Sequence, residues 1–292
     1  MSTRRILVTG ATGQLGRCLA DRQSQFTADW RFVSREELDL ADPNGIEAYF
    51  NSNAFDVCIN TAAYTAVDSA EHENQLAHLI NAEAPAHLAR FCAASNCKLI
   101  HFSTDYVYDN GLSRPLREDD PLNPKSVYAK SKLEGEQNVE RHCHESIVIR
   151  TSWVFSEYGH NFVKTMARLM SKGRPLKVVD DQVGCPTYAG DLADMTLVVL
   201  DRIFNPAGDR LWGVYNYANS GPVSWYEFAN QIAGRLGLNA ELSPVSTVEY
   251  GAVAPRPAYS VLDTTKIQTT FGIAVRSWEE GLSHVLRTIA LS

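Results

Sequence analysis

Five short apolar runs punctuate the first half of the chain: Arg5-Ile6-Leu7-Val8-Thr9, Arg31-Phe32-Val33, Asp56-Val57-Cys58-Ile59-Asn60, Lys98-Leu99-Ile100-His101-Phe102 and Ser146-Ile147-Val148-Ile149-Arg150. Each reads as a strand bounded by polar or glycine turns. Stretches of helical length separate them. One opens at the turn Gly10 to Gly16 and runs to about Gln25. A second covers Pro43 to Asn51, with Asp42 as its cap and Pro43 in its first turn. A third covers Ala77 to Ala94, and a fourth carries Tyr128 and Lys132. Strands alternating with helices in this way predict an α/β fold built on a doubly wound parallel sheet covered on both faces.

Beyond residue 155 the rhythm changes. Helical patterns at Phe162–Met170, Asp191–Phe204, Ser224–Leu236 and Ser277–Ile289 alternate irregularly with strands at 173–179 and 213–217. Ser224 with Glu227 three residues on is a capping-box pattern. Ala252 to Asp263, rich in alanine and proline around Arg256, reads as a loop that covers a site. The expected division is a nucleotide-binding domain at 1–155, to which later segments return, and a smaller interleaved lobe at 156–292 that binds substrate.

Composition narrows the class. The 292 residues are 45% apolar and 21% charged, ordinary for a globular protein with a substantial core. A net charge of −7 argues against a nucleic-acid partner, though a local basic pocket for phosphate is compatible with it. No apolar run has membrane-spanning length, and the chain enters its first strand without a signal-peptide layout, so a cytoplasmic protein is expected. Six scattered cysteines without a Cys-x-x-Cys pair point to buried, reduced thiols. His142-Cys143-His144 reads as a surface patch at a helix end, because adjacent helical residues diverge and no second ligand pair stands nearby.

Candidate chemistry clusters at the strand ends. Gly10-Ala11-Thr12-Gly13-Gln14-Leu15-Gly16 follows a strand and opens a helix, the context in which a glycine turn presents backbone N–H groups to a pyrophosphate. Arg35, after the second strand, suits the 2′-phosphate of NADPH; it equally suits a solvated arginine, and Glu36 and Glu37 would partly oppose a phosphate. Asp39 and Leu40 follow, placed to lie near an adenine. The small residues of Thr61-Ala62-Ala63 before Tyr64 and Thr65 let a cofactor cross the third strand end, or simply pack beneath a helix. Thr104, in Ser103-Thr104-Asp105, offers a hydroxyl to a substrate carbonyl. Tyr128 and Lys132 share a helix face, and a nearby ammonium eases ionisation of a phenol. Tyr128 is thus a candidate proton donor. Arg256 is a candidate for a substrate diphosphate, or a surface arginine. His101 reads as a satisfied core histidine.

The glycine turn, Ser-Thr-Asp and Tyr-x-x-x-Lys together resemble an extended short-chain dehydrogenase/reductase with a Rossmann-type sheet. Asn60 to Glu71, Arg150 to Val154, Asn161 to Met166, Asp181 to Thr187 and Arg256-Pro257 narrow the resemblance to the dTDP-4-dehydrorhamnose reductase family along nearly the whole chain. That resemblance implies reduction of a dTDP-4-keto-6-deoxysugar by NADPH, with NADH as the alternative. It implies that Tyr128 protonates the developing alkoxide, and that Lys132 lowers the tyrosine pKa and holds the nicotinamide ribose. Thr104, with Asp105 beside it, would bind the sugar, and Trp153 stands at a substrate-contact position. Gly13, Gln14 and Leu15 match the pyrophosphate turn; Asp39, Leu40, Ala63, Tyr64 and Thr65 match other cofactor positions. Tyr64 stands where the family often has histidine, and Thr61 where it has alanine. No acidic cluster for a bridging magnesium is legible, so no metal is expected; a homodimer is compatible with the family. A nucleotide-sugar epimerase, or a binding subunit like the regulatory subunit of methionine adenosyltransferase, is the alternative. Thr104, Tyr128 and Lys132 being intact favours catalysis.

Overall fold

The computed structural model describes residues 3–205 and 211–290. Through the first half, β1 (Arg5–Thr9), α1 (Gln14–Arg22), β2 (Asp29–Val33), α2 (Pro43–Ser52) and β3 (Val57–Asn60) follow in turn. Asp42 caps α2 by accepting from the Asn44 N–H, and Pro43 occupies its first turn. Two short helices, α3 (Val67–Ala70) and α4 (Asn74–His78), lead through a π-helical turn at Leu79–Glu83 into α5 (Ala84–Ala94). The long helix expected from Ala77 therefore starts earlier and is interrupted. Then come β4 (Lys98–Thr104), a 3-10 turn at Asp105–Val107, α6 (Val127–His142) and β5 (Ser146–Thr151).

The second half adds β6 (Val154–Phe155), α7 (Phe162–Met170), β7 (Leu176–Val179), β8 (Val183–Gly184) and β9 (Thr187–Tyr188). Next are α8 (Ala189–Phe204), β10 (Gly213–Asn216), β11 (Val223–Ser224), α9 (Trp225–Leu236) and β12 (Leu242–Val245). The chain closes with α10 (Thr247–Tyr250), α11 (Thr265–Phe271) and α12 (Trp278–Ala290). Ser224 and Glu227 form the capping box at the start of α9.

The main sheet has the order β10-β5-β4-β3-β1-β2, and all its pairings are parallel. Both faces are covered, as its unbroken apolar strands require: β3 and β5 are buried along their whole length. One face packs Ile6, Val8, Ile59 and Ile147 against α1 and α8 residues such as Leu19, Leu192 and Leu200. The other packs Leu7, Cys58, Leu99 and Val148 against α2 and α5. A third apolar cluster, with Phe155, Phe228, Trp278 and Leu282, is the core of the lobe.

All six cysteines are free and buried. Cys143 is among them, so the expected patch at 142–144 is not wholly superficial: the last turn of α6 directs Cys143 inward. No cluster of metal ligands exists among the described residues. No helix among them is long and apolar enough to cross a membrane.

Candidate active site

The parallel register aligns Thr9 with Asn60, and Asn60 with His101. The loops that follow β1, β3 and β4 therefore emerge together at the carboxyl edge of the sheet. Strand order reverses between β1 and β3, because β2 lies on one side of β1 and β3 on the other. Such a switch point is where open α/β sheets bind ligands.

The glycine turn fits a pyrophosphate on steric grounds. Gly10 has φ +69°, and a Cβ there would stand 2.8 Å from the Ala62 nitrogen. A Cβ on Gly16 would lie 2.4 Å from the Gly10 carbonyl oxygen. The backbone is thus pressed against both its helix and the β3 loop. No side chain caps α1 at Gly13, which leaves its first turn open to an anion. Thr12 is exposed in the turn and Leu15 is buried beneath it. Gln14 is tied to the lobe: its Oε1 accepts from Ser156 Oγ and Asn161 Nδ2, both at 2.9 Å.

Around the second strand end, Arg35 is exposed and pairs with Asp39 at 3.4 Å. Asp39 also accepts from the Ala41 N–H at 3.0 Å, and Leu40 is buried. Glu37 is held on the other side of the loop's opening residues. It accepts from Arg31 and from the Ser34 N–H, each at 3.1 Å. In the third loop, Ala62 abuts Gly10, Ala63 is half-buried and Thr65 exposed. Asn81, from the π turn, clamps Tyr64: its Oδ1 accepts from the Tyr64 N–H at 2.9 Å and its Nδ2 donates to the Tyr64 carbonyl at 3.0 Å. The Tyr64 hydroxyl donates to Glu73 at 2.6 Å.

Ser126 and Glu71 fix the start of α6. Ser126 Oγ accepts from the Ala129 N–H, and Glu71 accepts from the Val127 N–H at 2.8 Å. Tyr128, in the first turn, then lies beside Thr104 at the β4 edge. Burial pushes the phenol up to about 12; the Thr104 bond pulls it down and the Asp105 charge pushes it further up. The Lys132 ammonium is buried and donates to the Phe102 carbonyl at 2.6 Å. Burial lowers it to about 8, against the pull of Glu136 one turn on. Glu136 is itself bound by Arg150 at 2.7 Å, and Arg150 donates to Tyr108 at 2.9 Å. His101 donates or accepts at Asn60 through Nδ1, but its Nε2 has no partner. Burial, and then the Lys132 charge, keeps it neutral. It is a core histidine, though not a fully satisfied one.

Tyr106, Asp68 and Trp225, beyond the expected set, stand beside expected site residues. Tyr106 meets Tyr128 edge-on, with ring centroids 5.9 Å apart. Arg256 donates to the Ala254 carbonyl at 3.1 Å and pairs with Asp68 of α3 at 2.7 Å. Burial pulls Asp68 up, but its bonds from Arg256 and the Ala254 N–H outweigh this and hold it below the usual carboxylate range. The 252–263 loop is thereby tied to α3. Trp153 lies on the lobe side. Its φ of +46° is rare for a bulky residue. Its indole stacks on Trp225 at 3.4 Å between centroids and rests on Gly184, where a Cβ would come within 2.7 Å of the ring. The tandem Tyr106 after Asp105 and the aromatic opening of α9 at Trp225 were the only sequence signals for these partners.

A cleft of about 880 Å³ between α1 and α8 lies apart from this edge, and its Arg22, Asp194 and Arg276 are paired among themselves.

Known proteins resemble this chain along nearly its whole length. The model of the RmlD substrate binding domain matches residues 4–291. The spore coat polysaccharide biosynthesis protein SpsK of Bacillus subtilis (strain 168) is 40% identical, with 97% of each chain covered. The dTDP-4-dehydrorhamnose reductase of Aggregatibacter actinomycetemcomitans is 39% identical, covering 96% of this chain and 98% of that one. Among solved structures, the dTDP-4-dehydrorhamnose reductase of Bacillus anthracis in complex with NADP superposes with a TM-score of 0.91 at 34% identity, covering 98% of this chain and 100% of that one.

Proposed function

This chain belongs to the RmlD substrate binding domain family, an oxidoreductase family by the names of its relatives, and we propose that it reduces the C4 ketone of dTDP-4-dehydro-β-L-rhamnose to dTDP-L-rhamnose with NADPH. When bound, the reduced nicotinamide supplies the hydride. The open first turn of α1 and the close-packed Gly10 and Gly16 suit its pyrophosphate. Arg35 suits the 2′-phosphate, since its pairing with Asp39 is exposed and weak enough to exchange.

Tyr128 carries the reading. Its phenol is held protonated near neutral pH by burial, beside Thr104, at the carboxyl edge of the sheet. A group in that state can donate a proton to an alkoxide as it forms, and cannot lose the proton to water beforehand. Thr104 orients the ketone oxygen toward the phenol. Lys132, its ammonium lowered to about 8 by burial, sets a positive charge beneath the site one turn along from Tyr128, and by turning from the Phe102 carbonyl it would hold the nicotinamide ribose. Arg256 exchanges Asp68 for the substrate diphosphate, and Trp153 lines the sugar. The free, buried thiols support a cytoplasmic setting.

The test is oxidation of NADPH by the purified protein with the enzymatically made ketosugar, with the sugar product identified by NMR. The expected product is dTDP-L-rhamnose. Tyr128→Phe should lower kcat by about 10²–10⁴-fold while NADPH still binds. Net cofactor oxidation with a different product would move the substrate to another nucleotide sugar, and none at all from folded protein would remove the reductase reading.

A further inference from the structure

The lobe holds two half-buried indoles in an arrangement that aromatic rings do not adopt by preference. Trp153 and Trp225 lie 3.4 Å apart between centroids, with an interplanar angle of 8°. Ring pairs favour offset or edge-on arrangements with centroids about 4.5–7 Å apart, so a stack this fully overlapped is imposed by its surroundings. The φ of +46° at Trp153 is a second imposed feature of the same residue, and such outliers persist only where neighbours over-determine them. Gly184 leaves room for the Trp153 ring, which a Cβ there would meet at 2.7 Å.

Gln182 restrains Trp225. It is 3% exposed, and both ends of its amide are used. Its Oε1 accepts from the Trp225 indole N–H at 3.2 Å, and its Nε2 donates to Thr247 Oγ1 at 2.9 Å. The direction of this row is fixed from its far end. Thr247 donates its hydroxyl proton to Asp181 at 2.6 Å and can then only accept from Gln182, which turns the amide oxygen toward the indole. Thr247 opens α10, whose capping box is Ser246 with Glu249. Beyond α10 the chain reaches Ala254 and Arg256, both bound to Asp68. The next residue, Val183, donates to the Ala258 carbonyl and accepts from the Ser260 N–H, each at 2.8 Å. Residues 182–184 thus touch the indole stack on one side and the segment around Arg256 on the other.

We propose that Gln182 is a positioning residue that couples the Trp153 wall of the sugar subsite to the Arg256 end of the substrate. The proposal rests on the reading of Trp153 and Arg256 as contacts of a nucleotide diphosphate sugar. A diphosphate that takes Arg256 from Asp68 shifts the 247–256 segment. Thr247 passes that shift to Gln182, and Gln182 passes it to the plane of Trp225. Trp153, stacked on that plane with hardly any offset, re-seats against the sugar. Gln182, Thr247 and Trp225 touch no reacting atom in this scheme. They set how firmly the sugar is held once the diphosphate has arrived.

The test is titration of the protein with dTDP, the nucleotide without its hexose, followed by circular dichroism in the far ultraviolet, where two indoles in contact give a paired signal. Trp225→Phe should lose that signal, which assigns it to the stack. In wild type, dTDP should change it after subtraction of the nucleotide's own spectrum. Thr247→Val, which cannot accept from Gln182, should lose the change, although calorimetry finds dTDP bound within about threefold of wild-type affinity. Thr247→Ser keeps the hydroxyl and should restore the change. In steady-state reduction of the ketosugar, Thr247→Val should raise KM by about five- to tenfold, the worth of one lost hydrogen bond, with kcat within about twofold and NADPH affinity unchanged. No paired signal in wild type, dTDP bound without changing it, or a Thr247→Val protein that responds as wild type does would each overturn the proposal. So would a fall in kcat or in NADPH affinity alongside the rise in KM, the mark of general damage. Failure of dTDP to bind wild type would instead remove the nucleotide-sugar reading, and the coupling with it.

Discussion

Single residues in this site are defined by what burial does to their protons. Asp105 shows the cost. A carboxyl raised from 3.8 to about 7 binds its proton more tightly in the folded chain than in the unfolded one. Stability therefore falls as pH rises through that interval, and the full penalty applies above it. Asp105→Asn should melt higher than wild type at about pH 8, by at most about 4 kcal/mol, and should lose that advantage at about pH 4. Melting curves at the two pH values check the sign. Arg35 is the opposite case, an exposed guanidinium in a weak pair with Asp39. Arg35→Ala should weaken NADPH more than NADH in direct titrations, and an equal effect on both would remove the 2′-phosphate assignment. Tyr128, Lys132 and Thr104 were legible because spacing on one helix and position at a strand end are local properties. That Lys132 turns to the Phe102 carbonyl was not legible, since it depends on β4 lying beneath α6. Nor was Trp225, which becomes a neighbour of Trp153 only through the fold of the lobe.

At the scale of elements, α6 meets the π turn that precedes α5 unusually closely. A Cβ on Gly135 would stand 2.0 Å from the carbonyl oxygen of Asn81, in the π turn. That same Asn81 clamps Tyr64 and donates to Ser131 Oγ at 3.1 Å, next to Lys132. The packing of α6 on the π turn thus positions both the loop after β3 and the helix that carries Tyr128. Gly135→Ala should cost about 1–3 kcal/mol, seen as a lower denaturant midpoint, with turnover impaired in the protein that remains folded. The helices themselves were readable: the Asp42 cap and the Ser224–Glu227 box are written in short-range chemistry. The π turn was not, because no local pattern distinguishes it from the helix around it.

As a whole molecule, the chain is knitted across its two halves. β10 completes the main sheet beside β5, and α8 packs on α1. Arg22 and Arg276 both pair with Asp194, and Arg276 with Asp191. The return of the later segment to the sheet was anticipated, though its place at the far edge had no signal in its own residues. The six thiols are spread through this knitted interior. Cys18 lies in the cluster shared by both halves, Cys58, Cys92, Cys97 and Cys143 beneath the other sheet face, and Cys185 near the covering loop. Burial also holds Cys143 at about 11 and both Cys18 and Cys185 at about 12, so thiolate is scarce even where a reagent arrives. Each cysteine is therefore a clock that starts only when its own surroundings open. With a thiol-reactive dye under native conditions, all six should be labelled at one slow rate if the molecule breathes as a unit. A Cys185 that reacts ahead of the rest would mean that the loop over the active site opens by itself, and the interval between the two rates would time the admission of substrate.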